Sequence, residues 1–288
     1  VANPRDIIRN KVLSLDGHPI SLDVYDFTLS FTRTALTHQC LEERGQFIDK
    51  GDFDGKASLK GYGIPAMKKL EALLALDLEG STLLYLPRAD TRNSPFAVPG
   101  DPAIFFEPNV EGVDEPTVKN KIVEFTAPLN LASGQEPCLN GQVIYCNRSK
   151  VPAPIGAGVV TPDPVTLGEL LAHDDAAIPR VNATMARFTV HVSKMTGTGR
   201  ITVKAEVLSD TTGFGSPVVR YTFPLFVSSA PTGTDVPLVS GSRSQTVTLD
   251  GDVLSLPAET QWTIKLTVTD SDTDAAVEII AAGEIYPK

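Results

Sequence analysis

Apolar and polar residues alternate one for one along most of this chain, and a chain patterned with period two folds as strands that bury one face. In Tyr25-Asp26-Phe27-Thr28-Leu29-Ser30-Phe31-Thr32 the apolar side chains hold one parity and the polar ones the other. The same pattern returns in Phe188-Val190-Val192, Ile201-Val203-Ala205-Val207, Val219-Tyr221-Phe223, Val247-Leu249 and Trp262-Ile264-Leu266-Val268, and a last strand is expected from Val277 to Ile285. Gly, Ser, Thr, Pro and Asp clusters separate these runs, the signature of a β-sandwich. Strands are also expected at Ile104–Phe106 and Lys121–Leu131, and at Lys11–Leu15 and Ile20–Val24. The last two flank an Asp16-Gly17 turn signal, where Pro19 predicts a connection longer than a two-residue hairpin loop.

One segment has a different period. From Ile64 through Met67, Leu70, Leu73 and Leu74 the apolar spacing is three or four, with Pro65 suited to a first turn and Gly80 to a stop. It predicts one amphipathic helix over Pro65–Leu78 with its apolar stripe in the core. Cys40–Gly55 and Pro87–Pro102 read as long loops, which in a compact domain are usually functional. Four prolines in Lys150–Pro164 mark a semi-rigid connector, followed by a short helical turn at Val165–Ala172. The expected organisation is therefore a β domain over residues 1–150 with its helix near 65–78, a linker over 151–177, and a second β-sandwich over 178–288 that leaves a diverged duplication open.

The 25 basic and 35 acidic side chains give a formal net charge of −10. Both halves share the acidic excess, which argues against a nucleic-acid clamp, because phosphate attraction needs surplus Lys and Arg. No apolar run approaches the roughly 18 residues of a membrane span, and Val1-Ala2-Asn3-Pro4-Arg5-Asp6 lacks the regions of a signal peptide. A product made in the cytosol is the expectation. Cys40, Cys138 and Cys146 match neither a zinc knuckle nor a disulfide framework, so they read as reduced structural thiols.

Catalytic chemistry is hard to assemble. His18, His38, His173 and His191 are scattered, no nucleophile elbow or phosphate-binding loop occurs, and the paired glycines fall in turns. His38-Gln39-Cys40 offers two ligands without a second pair. Asp270-Ser271-Asp272-Thr273-Asp274 with Glu278 is the most calcium-like run, but Ala275 replaces the glycine that an ion-binding loop needs, so an acidic turn is the simpler reading. Asp52-Phe53-Asp54-Gly55 is weaker still. His173-Asp174-Asp175 reads as a polar helix end beside the linker. Asn147-Arg148-Ser149 is formally a glycosylation acceptor, and Trp262 is expected in the core rather than on a sugar platform. No enzyme, metal or cofactor is expected.

The order of elements resembles the tail tube proteins of long-tailed bacteriophages. The first half carries this in the Val12–Thr32 hairpin and strand, the acidic Cys40–Gly55 loop, Lys56-Ala57-Ser58-Leu59-Lys60-Gly61, the helix and the closing Ile122–Leu131 strand. The second half carries it in Met195-Thr196-Gly197-Thr198-Gly199-Arg200-Ile201-Thr202-Val203, Leu208–Pro217 with Tyr221-Thr222-Phe223, and Trp262–Val268. The resemblance implies a mainly β, tail-tube-like sandwich or barrel with one packed helix, followed by a second sandwich-like domain. It also implies a structural virion protein, assembled in the host cytoplasm, whose rings of six, or three acting as six, stack into a tube. DNA would pass through the lumen without specific binding, and other tail proteins would be partners. Contacts between rings would come from the long loop, with Glu42, Glu43, Phe47, Asp49, Asp52 and Asp54 as candidates and the arm Val1–Asn10 as second choice. The rival readings are a capsid decoration or other virion surface protein, tested by locating a tag on intact particles, and a glycan-binding adhesin module using Trp262 and the Asp270–Asp274 run.

Overall fold

Period-two patterning produces strands throughout the computed structural model, which is nearly all β. It describes residues 12–20, 24–39, 46–62, 67, 70–71, 82–87, 97, 99–114, 124–131, 138–147, 155–167, 169–171, 177–179, 185–197, 199–210, 215–228, 243–250, 261–270 and 274–286. In chain order the strands begin with β1 (Val12–Leu15), β2 (His18–Pro19), β3 (Val24–Gln39), β4 (Gln46–Tyr62) and β5 (Leu83–Leu86). Next come β6 (Pro102–Phe106), β7 (Pro108–Val110), β8 (Glu124–Leu131), β9 (Cys138–Cys146) and β10 (Gly158–Val160). The connector region holds β11 (Val165–Thr166), β12 (Glu169–Leu171) and β13 (Ala177–Pro179), followed by the long β14 (Met185–Thr196) and β15 (Ile201–Asp210). The chain continues with β16 (Val218–Thr222), β17 (Phe226–Val227), β18 (Ser244–Asp250), β19 (Gln261–Asp270) and β20 (Ala276–Tyr286).

The compact units do not follow the division expected at residue 150. One comprises Val1–Pro19, Gly80–Phe105 and Cys138–Lys288, the other Ile20–Glu79 and Phe106–Pro137. The reason lies in the sheet order of the first unit. Its eight strands run β18-β14-β20-β9-β6-β5-β1-β2, so β9, β6, β5 and β1 of the N-terminal half continue the sheet begun by the C-terminal strands. The junction is β20 against β9, where Ile280 faces Cys146 and Gly283 faces Gln142.

A second sheet in this unit, β10-β19-β15-β16 with β11 and β17 added at its margins, completes a sandwich. Alternate residues of β14 (Phe188, Val190, Val192), β15 (Val203, Ala205, Val207), β19 (Trp262, Ile264, Leu266) and β20 (Val277, Ile279, Ala281) form its core. Trp262 is completely buried and its ring centroid lies 5.1 Å from that of Phe188 in the other sheet. Phe188 in turn lies over Gly283, where an added Cβ would stand 2.5 Å from the ring. A second apolar cluster, including Leu84, Phe105, Val143, Ile280 and Ala282, occupies the opposite face of the eight-stranded sheet.

Three local expectations are corrected. The β1–β2 connection is a two-residue loop after all, with Leu15 opposite His18 and Ser14 opposite Pro19. Asp16 (φ 48°) and Gly17 (φ 74°) both take positive φ, as the tightest hairpin turns require. Pro19 is tolerated because β2 ends the sheet order, where one missing N–H disrupts no second ladder. The helical turn expected at Val165–Ala172 is replaced by β11, which pairs with Trp262 and Gln261, and by β12, which pairs with β13. Prolines hold their preceding residues extended, and the Thr263 hydroxyl donates to the Pro162 carbonyl at 2.8 Å, fixing the segment along β19. The connector is therefore part of the sheet where it is described, with Ile155 buried and bridged to Val277.

The other unit holds the four-stranded sheet β3-β4-β8-β7. Of the expected helix, Met67, Leu70 and Glu71 are described and helical, the first two buried and Glu71 exposed, as the three-to-four spacing requires. The rest of Pro65–Leu78 lies outside the described residues.

Gly17 is a sharp test of the first unit. A Cβ there would meet the Val192 and Arg243 carbonyl oxygens at 2.9 Å, and the φ is one that side chains disfavour. Gly17→Ala is expected to lower the unfolding free energy by more than about 1–2 kcal/mol, measured by urea denaturation; an unchanged midpoint would contradict the turn geometry.

Candidate assembly surface

In the four-stranded sheet, alternation sorts the residues onto two faces. Gly55, Ala57, Leu59, Phe125, Ala127 and Leu129 are buried on one side. Gly55 leaves room for Leu131 and Phe31, which a Cβ would displace, and Phe31 meets Phe106 edge-on at 6.1 Å. The register places Asp26 opposite Lys60, Thr32 opposite Asp54, and Tyr62 opposite Glu124 on the other side. Among the described side chains of that polar face, the carboxylates of Asp26, Asp54, Glu111, Asp114 and Glu124 outnumber the ammonium groups of Lys56 and Lys60.

Its ion pairs are open to water. Lys60 lies 3.5 Å from Asp26 and Lys56 lies 4.0 Å from Asp54, and exposed pairs of this kind contribute at most about 1 kcal/mol each. Asn130 Nδ2 donates to Glu111 Oε1 across the same face. Tyr25 and Tyr62 stack with centroids 4.5 Å apart, both exposed, and partial desolvation with the nearby Glu124 carboxylate raises the Tyr25 hydroxyl above its ordinary range.

The strand lengths in this sheet are unequal. β8 pairs β4 only from Lys56 to Tyr62, whereas β3 and β4 stay paired out to Gln39 opposite Gln46. Among the described residues, β3 and β4 thus continue as a two-stranded ribbon for about ten residues, roughly 30 Å at strand rise, beyond the end of the β8 ladder.

This ribbon overturns the long loop expected at Cys40–Gly55. Phe47 pairs with His38, Asp49 with Leu36 and Asp54 with Thr32, while Asp52 lies by a register shift between Arg33 and Ala35. Glu42, Glu43 and Cys40 lie outside the described residues, and for Phe47, Asp49 and Asp52 only the backbone is described. Asp54 is exposed on the polar face. Gly45, Gly51 and Gly55 with their acidic neighbours imitate a loop. The missed signal was parity: Phe53, Gly55, Ala57 and Leu59 alternate with Asp52, Asp54, Lys56 and Lys60.

The remaining chemical candidates resolve into structure where they are described. Cys138 and Cys146 are buried on β9 and are not joined in a disulfide. Among the described residues no group of three or more His, Cys, Asp or Glu side chains is placed to hold a metal ion, and no helix is long and apolar enough to cross a membrane. The His173–Asp175 run and positions 271–273 of the acidic run lie outside the described residues. Glu206 accepts from Lys204 Nζ at 2.6 Å and faces Lys265 at 3.6 Å, and the Lys204 hydrogen bond holds its carboxyl below the usual range against the opposing effect of burial.

Asn147 is fully buried, so the glycosylation pattern is an accident of spelling. Its side-chain amide donates to the Val277 carbonyl at 2.8 Å and its carbonyl accepts from the Ile279 N–H, extending the β9–β20 seam by side-chain pairing. Trp262, completely buried, offers no face to a sugar, which removes the stacking residue of the adhesin reading.

No family model matches the sequence and no curated protein matches it. Solved structures to which it is similar include components of tail and virion assemblies. The virion of a native gene transfer agent particle aligns with TM-score 0.34 and 12% identity over 48% of this chain and 99% of that one. The tail of the empty particle, of C6 symmetry, aligns with TM-score 0.33 and 14% identity over 47% and 98%. The SPP1 Dit protein, described as a paradigm of the hub adsorption apparatus of phages infecting Gram-positive bacteria, aligns with TM-score 0.30 and 9% identity over 96% and 99%. At these scores the likeness carries no argument about the role of this chain.

Two substitutions test the assignments. Asn147→Ala takes the side-chain acceptor from the buried Ile279 N–H, while the Val277 carbonyl keeps the Ile155 N–H, and is expected to cost about 1–3 kcal/mol, while Trp262→Ala is expected to cost about 3–5 kcal/mol. Both are read by denaturant unfolding; a Trp262→Ala protein of unchanged stability would contradict the core assignment.

Proposed function

We propose that this chain is a structural subunit of a phage-type tail assembly, building rings that stack into a tube. The supporting observation is the β3–β4 ribbon that outruns its sheet. An isolated two-stranded ribbon is at best marginally stable in water, so a long one is accounted for if a neighbouring subunit covers it. In this reading the ribbon reaches the adjacent ring, with Phe47, Asp49, Asp52 and Asp54 in the contact and Glu42 and Glu43 retained as contact candidates from the sequence.

Sideways contacts follow from the same sheet. Among the described residues β3 is a terminal strand in the order β3-β4-β8-β7, and a terminal strand is a template for pairing with another chain. Closing such pairings into a ring gives order without open-ended lateral growth. The acidic excess on the polar face suits a wall past which DNA slides, because carboxylates repel phosphate where lysines would add salt-dependent affinity. The role is mechanical rather than catalytic, and DNA is cargo rather than a specifically bound ligand.

A shortened chain in which Thr32 is joined to Asp54 through Asn-Gly keeps the β4–β8 ladder and removes the ribbon. The full chain is expected to sediment as stacked assemblies, and the shortened chain as single rings or monomers of near-native thermal stability. Equal assembly of both chains, or a full chain that stays monomeric at high concentration in the presence of a tail initiator, would overturn the proposal.

A further inference from the structure

The β1–β2 turn is held at a distance from its own place in the sheet order. β2 and β1 end one side of the eight-stranded sheet, yet their turn is bonded to β14 and to the start of β18 at the other end. The bonds form a buried polar cluster. Asp16 accepts from the Ser244 hydroxyl at 3.1 Å, and its N–H donates to the Thr82 carbonyl at 2.9 Å. The Thr82 N–H donates to the Ser244 hydroxyl oxygen at 3.3 Å, and the hydroxyls of Thr82, Thr246 and Thr189 are linked at 2.8 and 3.0 Å.

His191 of β14 sits at the centre. Its Nδ1 lies 3.3 Å from the Gly17 backbone nitrogen and 3.2 Å from the Ser14 hydroxyl oxygen. A backbone N–H can only donate, so Nδ1 is the accepting nitrogen and the neutral ring carries its proton on Nε2. Among the described residues Nε2 is buried without a hydrogen-bond partner. We propose that His191 is a proton-operated latch: its neutral imidazole pins the Asp16–Gly17 turn onto β14, and a proton taken up from solvent at Nδ1 releases the turn from that strand. The proton occupies the lone pair that accepts the Gly17 N–H, so that bond breaks while the covalent structure is unchanged.

Among the described residues the charges facing the ring are few. The turn contributes Asp16, whose carboxylate favours the charged ring, and the residue before β18 contributes Arg243, whose Nη1 donates to the Ser193 carbonyl at 3.1 Å. From β20 the residue opposite is Ile280; Glu278 and Lys194 lie beyond the β14 bulge. Burial outweighs Asp16 and takes the ring from 6.5 down to about 4. Because the released state binds the proton more readily, the latch holds fully above the ordinary histidine value and weakens as pH falls from there toward about 4.

Amide hydrogen exchange on the full chain tests this independently of assembly. Relative to pH 7, the Gly17 protection factor at pH 4.5 is expected to fall at least about tenfold in the wild type. It should stay flat in His191→Gln, whose amide oxygen can accept the same N–H but does not titrate. Loss of protection that is equal in both proteins, or absent in the wild type, overturns the latch. Should His191→Gln fail to fold, ring 15N shifts of wild-type His191 decide instead. The latch requires an Nε2–H tautomer at pH 7 and protonation in step with the loss at Gly17; an Nδ1–H tautomer, or titration out of step, overturns it.

Discussion

The C-terminal strand is covered on both faces, and the organisation of the larger unit depends on it. Along β20, Val277, Ile279 and Ala281 enter the sandwich core while Ile280 and Ala282 enter the second cluster. A strand buried on both sides has to satisfy its whole backbone within the sheet, and β20 does so by pairing with β14 on one edge and β9 on the other. Small residues make this possible: Gly283 gives the Phe188 ring its seat, and through Phe188 the strand is coupled to Trp262 across the core. Asn147 prolongs the β9 seam where the regular ladder ends.

That dependence explains what the sequence could and could not convey. Parity located β8, β14, β15, β18, β19 and β20 closely, because each buries one face and period two is then visible. The burial of Trp262 was legible for the same reason, and that of Met67 and Leu70 from the three-to-four spacing of a helix. Sheet membership was not, since nothing local in Val12–Leu15 or Cys138–Cys146 announces that these strands complete a sheet begun by residues almost at the other end of the chain. The tight turn at Asp16–Gly17 was disguised by Pro19, whose acceptability depends on β2 being terminal. The ribbon was disguised by Gly51 and Gly55, one near a register shift and the other beneath Leu131 and Phe31. His191 showed no motif because its partners come from β1, the β1–β2 turn and β18, segments far apart in sequence.

The two units call for different physical accounts. The larger is a sandwich whose apolar layers and buried polar cluster are built from its own strands, with His191 Nε2 left without a hydrogen-bond partner among the described residues. The smaller presents a sheet with a buried face, an acidic polar face, a terminal strand of 16 residues and a ribbon that outlasts its ladder. Terminal strands and uncovered ribbons are liabilities in a solitary protein, and become useful when another subunit completes them. The proposed role rests on that asymmetry rather than on any catalytic constellation.

A cryo-EM reconstruction of the assembled full chain tests this account most directly, through the surroundings of residues 32–55. The account predicts an annular particle in which the ribbon packs against a subunit of the next ring and β3 pairs with a strand of its neighbour. A particle in which the ribbon and the outer edge of β3 face solvent, or are covered by the same chain, would contradict it.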